Sequence, residues 1–117
     1  QFVVVGDFNI APEDRDVHDP ALWRGRVLCS DREREKFQAL LDWGLVDVYR
    51  RLQPEPGGFT WWDYQMGGFR RDRGLRIDYF LATEPLAARM REVVVDRGER
   101  GETKPSDHAP LFLSFEL

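Results

Sequence analysis

One cysteine stands in 117 residues, so Cys29 has no internal disulfide partner and a disulfide-stapled scaffold is excluded. Nothing near it suggests a thiolate site, and it reads as an ordinary thiol of a reducing compartment. No apolar run is long enough to span a bilayer, which predicts no membrane partner. No signal-peptide pattern opens the chain, and no repeat or low-complexity tract interrupts it. There is no Walker-type glycine loop, no Cys/His zinc spacing and no Gly-x-Ser-x-Gly elbow. A basic excess is missing as well. The net charge of −4 argues against general polyanion binding. That exclusion is weak wherever acidic residues gather at a bound metal. Local charge says more, because Arg70, Arg71, Arg73 and Arg76 crowd one short segment.

What is present is a globular composition, 42% hydrophobic and 32% charged, at a length that supports one domain with a modest core. Gln1 is followed at once by Phe2-Val3-Val4-Val5, so the chain enters its core at the second residue. That predicts a piece of something longer. The run suits a strand buried on both faces, ending at Gly6. Ala11 to Cys29 reads as a long loop. Ser30-x-x-Glu33 is a capping box opening a helix whose apolar stripe is Phe37, Leu40 and Leu41, stopped at Gly44. Leu45 to Val48 is expected to continue it briefly. Pro54 to Gly58 is a loop, Phe59 to Trp62 a short aromatic strand, and Tyr64 to Gly74 a glycine- and arginine-rich loop or hairpin tip. Alternation from Leu75 to Leu81 predicts a strand with Leu75, Ile77, Tyr79 and Leu81 on one face and Arg76, Asp78 and Phe80 on the other. Thr83-Glu84-Pro85 starts a short helix. Val93 to Val95 and Leu111 to Phe115 are further strands, separated by a polar loop from Arg97 to Lys104. Strands with interspersed helices make an α/β or α+β layered fold, with no domain boundary inside the chain.

Three stretches at strand ends carry the chemistry: Gly6-Asp7-Phe8-Asn9, Gly74-Leu75-Arg76-Ile77-Asp78 and Ser106-Asp107-His108-Ala109-Pro110. Asp7 and Asn9 follow a strand, where α/β enzymes place ligand-binding groups, and in an extended chain their spacing aims both the same way. Asp7 can bind Mg²⁺ or move a proton, while Asn9 can hold a phosphate oxygen without charge repulsion. An Asx turn closing the strand explains the same pair equally well. Asp107 adds a hard oxygen ligand suited to Mg²⁺ or Mn²⁺. His108 can donate to a phosphoryl oxygen or deprotonate water; alone, the pair fits an ordinary turn with an exposed histidine. Asp78 sits on a strand face where a charge needs a partner. An imidazole is one solution, and a salt bridge to Arg76 or another arginine is the other. Phe59, Trp61, Trp62 and Tyr64 beside the arginines can stack on nucleic acid, though at least two of the four suit core packing. His18 is the weakest candidate, most simply an exposed side chain.

In this order the motifs resemble the exonuclease III type of abasic-site endonuclease, within the endonuclease/exonuclease/phosphatase superfamily. The resemblance covers essentially the whole chain. Gly6-Asp7-Phe8-Asn9 and Ser106-Asp107-His108-Ala109-Pro110 mark the superfamily. Phe59-Thr60-Trp61-Trp62-Asp63-Tyr64 followed by Leu75-Arg76-Ile77-Asp78 is more specific to the DNA-repair branch. The resemblance implies half of a four-layer sandwich of the DNase I type: residues 1–117 as a single C-terminal half, one sheet with its helices, whose partner is the N-terminal half of the same domain. It implies Mg²⁺ (Mn²⁺ as a substitute), with Asp107 and Asp7 at the metal. Asp7 and Asn9 would serve the nucleophile and phosphate, and Asp78 would orient His108 toward the scissile phosphate. Trp61, Trp62, Gln65, Arg70, Arg71, Arg73 and Arg76 would contact DNA or the abasic pocket. Gln65 and Asp72 depart from the arginine and asparagine common in bacterial members. The implied substrate is double-stranded DNA with abasic sites or 3′ ends, in the cytoplasm of a bacterial-type cell.

Two other functions fit the superfamily motifs. One is a phosphoesterase acting on a small or lipid substrate, which the aromatic–arginine loop disfavours. The other is a non-catalytic DNA-binding fragment, which metal-independent binding without cleavage would mark.

Overall fold

The computed structural model describes residues 1–116. The first strand, β1 (Val3–Asp7), leads into a connection containing a 3₁₀ turn at Asp14–Asp16 and a one-turn helix α1 (Pro20–Trp23). Helix α2 (Asp31–Trp43) follows, then β2 (Leu45–Asp47), α3 (Val48–Leu52), β3 (Trp61–Trp62) and β4 (Gly74–Leu75). The chain finishes with β5 (Asp78–Thr83), α4 (Glu84–Ala87), β6 (Met90–Val95), α5 (Arg97–Arg100) and β7 (Leu111–Phe115). The sheets are antiparallel: β1-β5-β2, with two ribbons, β3-β4 and β6-β7.

Local chemistry accounts for α2. Ser30 Oγ accepts from the Glu33 N–H at 3.2 Å, and Glu33 reaches back to the Ser30 N–H, so the predicted capping box forms. Gly44 ends the helix at φ 127°, a conformation that L side chains resist. That turn redirects the chain, and Leu45–Asp47 pairs with β5 instead of continuing the helix. Phe37 is the buried residue of the stripe, its ring tilted against that of Tyr79 at 4.8 Å between centroids, while Leu40 stays exposed.

Strand β5 has apolar contacts on two sides. Tyr79 and Leu81 join Phe37 and Leu45 in one cluster. Ala82 joins Val48, Ala87, Met90 and Val93 in another, with Phe80 packed against it. A third cluster, Ala11, Val17, Cys29, Leu75 and Ile77, draws the expected loop of residues 11–29 into the core.

Three expectations change. β1 is an edge strand, with Val5 58% exposed, so it is not buried on both faces in this chain. The strand expected from Leu75 to Leu81 breaks at Arg76–Ile77, because the Arg76 N–H turns to the Asp16 carbonyl at 2.9 Å. The polar segment after residue 96 holds the helical turn α5, capped where Asp96 accepts from the Glu99 N–H at 3.2 Å. Among the described residues no helix is long and apolar enough to cross a membrane.

Candidate active site

The β1–β5 register sets Asp7 directly opposite Asp78. The third segment arrives through backbone bonds from β3. The Trp62 N–H donates to the Asp107 carbonyl at 3.1 Å, and the Ala109 N–H donates to the Thr60 carbonyl at 2.8 Å. His108 is thereby brought against Asp78, its Nδ1 2.9 Å from Oδ2. An ionised carboxylate only accepts, so that contact puts the imidazole proton on Nδ1 and leaves Nε2 to act. Asp7 Oδ2 lies 3.6 Å from Nε2, and Asp107 Oδ1 lies 3.9 Å from it. Burial pushes the Asp78 carboxyl up; His108 and Thr60 favour its ionised form, and Asp7 opposes it.

Asn9 does not continue the strand. It sits at φ 54°, and its N–H donates to Asp7 Oδ1 at 2.8 Å. This is the Asx turn, and it fixes the Asp7 carboxylate at the strand end. Both residues are exposed and open to a ligand.

Asp7, Asp78 and His108 offer ligand atoms within 4.8 Å of one another. Asp78 and His108 already satisfy each other, which leaves Asp7 Oδ2 and Asp107 Oδ1 as the oxygen donors beside Nε2. Asp107 Oδ2 accepts from the Trp61 indole N–H at 3.0 Å. One or two carboxylates completed by water and phosphate are what Mg²⁺ takes, so the donor set fits a hard divalent cation.

The expected DNA-contacting residues divide. Gln65, Arg70, Arg71 and Arg73 are exposed on the loop between β3 and β4, and Trp61 is half-buried beside Asp107. Two of the residues expected there do not face solvent. Trp62 is 0% exposed, edge-on to Phe69, with its indole N–H on Asp72 Oδ1 at 3.1 Å. It packs the core and lines no open pocket. Arg76 is 1% exposed and ion-paired to Asp16 and Asp47, so it holds the interior together. His18 is half-buried, with Nδ1 3.2 Å from the Gly74 carbonyl, and lies outside the cluster. Cys29 is buried, which pushes its thiol up and keeps it protonated. Thr60 was visible in the sequence only as the residue before the tryptophans; its fully buried hydroxyl beside Asp78 is a tertiary fact.

Known proteins are similar to this chain over nearly its whole length. Exodeoxyribonuclease III of Haemophilus influenzae is 39% identical over 97% of the chain and 45% of its own length. A 3′ phosphatase from Neisseria, solved bound to a product DNA hairpin, superposes with a TM-score of 0.96 at 45% identity, covering 98% of this chain and 45% of that one. An AP endonuclease from Archaeoglobus fulgidus gives 0.92 at 38% identity with the same coverage. The chain thus spans about 45% of the length of these relatives. The model of the endonuclease/exonuclease/phosphatase family, a family of metal-dependent nucleases and phosphatases, matches residues 1–108. With three motifs converging on one cluster and that match reaching into each of them, the chain belongs to the endonuclease/exonuclease/phosphatase family.

Proposed function

We propose that the chain is the C-terminal half of a Mg²⁺-dependent DNA repair phosphodiesterase, with Mn²⁺ as a substitute metal. The whole enzyme hydrolyses the phosphodiester 5′ to abasic sites and trims 3′ ends, acting on duplex DNA in the cytoplasm. The observation that carries this is the 2.9 Å contact between Asp78 and His108 Nδ1, with Asp7 and Asp107 both facing Nε2. Two carboxylates and an oriented imidazole at one point suit proton transfer during attack of water on a phosphate.

In this mechanism Asp78 holds His108 by its Nδ1–H, so that Nε2, when protonated, donates to an oxygen of the scissile phosphate. Asp7 takes the proton of the attacking water or serves the leaving oxygen, and Asn9 beside it positions the phosphate. Asp7 and Asp107 would hold the cation, which when bound offsets charge on the phosphorus oxygens and leaving group. Trp61 borders the pocket for the flipped-out sugar. Gln65, Arg70, Arg71 and Arg73 follow the backbone phosphates. The partner of this half is the N-terminal half of the same domain, which would cover the exposed Val3, Val4 and Val5 of β1 and Phe112 and Phe115 of β7.

The test is cleavage of an abasic-site duplex by the full gene product and by this chain alone, with Mg²⁺ and with chelator. Metal-dependent nicking 5′ to the lesion is expected of the full product, and His108→Ala should lower turnover by about 10²–10⁴-fold, the range of a lost acid–base group. Absence of nicking by the full product, or nicking undiminished in His108→Ala, overturns the proposal.

A further inference from the structure

Thr60 is 0% exposed, and every polar group it owns is committed to a different segment of the site. Its N–H donates to the Leu75 carbonyl at 2.9 Å, holding β4. Its carbonyl accepts from the Ala109 N–H at 2.8 Å, holding the residue after His108. Its hydroxyl oxygen accepts from two successive amides, Ile77 N–H at 3.0 Å and Asp78 N–H at 3.2 Å. Those amides lie where the strand breaks, so no neighbouring strand satisfies them, and leaving either bare in the interior would be costly.

A threonine hydroxyl has two lone pairs and one proton. With both lone pairs occupied, it is left as a donor only, and the carboxylate that begins with the second amide is the acceptor at hand. Asp78 is then gripped on one side by a hydroxyl and on the other by His108 Nδ1 at 2.9 Å. One buried residue therefore fixes through its hydroxyl where the acid sits, and its backbone carbonyl, together with the Trp62–Asp107 bond, holds the segment that carries the imidazole. Asp78 is the first residue of β5, at the last pair of the β1–β5 register, and His108 lies in the connection before β7, bridged to Trp61.

We propose that Thr60 is a positioning residue of this site, setting the Asp78–His108 pair through its hydroxyl and its backbone carbonyl. The inference rests on the proposed phosphodiesterase function, because only there does the pair turn over a substrate. A misplacement of the pair of about 1 Å costs on the order of 10²-fold in rate, without a change in how substrate is held.

The test compares Thr60→Val, which keeps the shape and removes the hydroxyl, with Thr60→Ser, which restores it, in the full gene product on an abasic-site duplex. Thr60→Val is expected to lower kcat by about 10²-fold at unchanged KM, and Thr60→Ser to return it close to wild type. A folded Thr60→Val with wild-type kcat, or a Thr60→Ser no better than Thr60→Val, overturns the assignment. If Thr60→Val does not fold, Thr60→Cys replaces it, since a thiol matches serine in shape but is a weak acceptor; turnover equal to Thr60→Ser then overturns it. A wild-type protein that does not nick sinks the phosphodiesterase function instead. The positioning role is then read from the nitrogen NMR shifts of His108, which report where the imidazole proton resides. Loss of the Nδ1–H preference in the variant lacking the hydroxyl supports the role, and unchanged shifts overturn it.

Discussion

Replacing Arg76 by methionine separates a structural arginine from a DNA-binding one. The guanidinium makes three contacts in the interior: Nε on Asp16 Oδ1 at 2.7 Å, and Nη1 and Nη2 on the two oxygens of Asp47 at 3.0 and 2.5 Å. It lies over the Tyr79 ring at 4.6 Å and the Tyr49 ring at 5.3 Å. Asp16 is 0% exposed and is shared with Arg50, so two carboxylates and two guanidinium groups balance in a low-dielectric interior. Methionine fills similar space but leaves two negative charges against one positive. Breaking a buried pair from one side costs about 3–5 kcal/mol, a large fraction of the roughly 5–15 kcal/mol that holds a domain folded. With an m-value of about 1–3 kcal/mol per molar urea, the unfolding midpoint should fall by about 1 M or more. Adding Asp47→Asn should recover part of that loss, because the stranded carboxylate causes it. The assay is urea unfolding of the full gene product, with a salt titration of duplex binding beside it. An unchanged midpoint together with a salt slope shallower by about one phosphate contact would refute the interior role and restore Arg76 to the DNA surface.

Two further outcomes rest on buried groups of the same interior. Burial raises the Asp78 carboxyl above its ordinary value near 3.8. Between the unfolded and folded values the native state therefore binds more protons, and this group's contribution to stability falls as pH rises through that window. Asp78→Asn should gain stability relative to wild type on going from pH 3 to pH 7 while losing turnover, as unfolding and cleavage at both pH values would show; a relative stability that falls with pH contradicts it. Gly74→Ala places a Cβ 2.5 Å from Phe59 Cβ and 2.7 Å from Trp62 Nε1. Overpacking of this kind costs about 1–3 kcal/mol, visible in thermal unfolding, and a variant as stable as wild type would disprove the tight β3–β4 packing.

Features whose physics is local were legible in the sequence. Ser30 and Glu33 form their capping box, Gly44 stops the helix, and Thr83-Glu84-Pro85 begins α4, because each depends on groups within a few residues. The Asp7, Asp78 and His108 motifs were legible by residue type and order, and the interruption of an apolar strand by Asp78 called for a partner. Exposure and pairing were not legible. The arginines at positions 70, 71, 73 and 76 look alike in sequence, and so do the tryptophans at 61 and 62. Whether a guanidinium meets water or a buried carboxylate depends on where residues 16 and 47 end up, which no local pattern encodes. For the same reason Thr60 carried no signal: a threonine in an aromatic strand is ordinary until the fold brings two bare amides to its oxygen. The sequence alone determined which residue types the chain offers for the proposed chemistry, where α2 starts and stops, and where α4 begins. Tertiary structure decided which of the like residues do the work, because burial and long-range pairing, unlike propensity, are properties of the assembled chain.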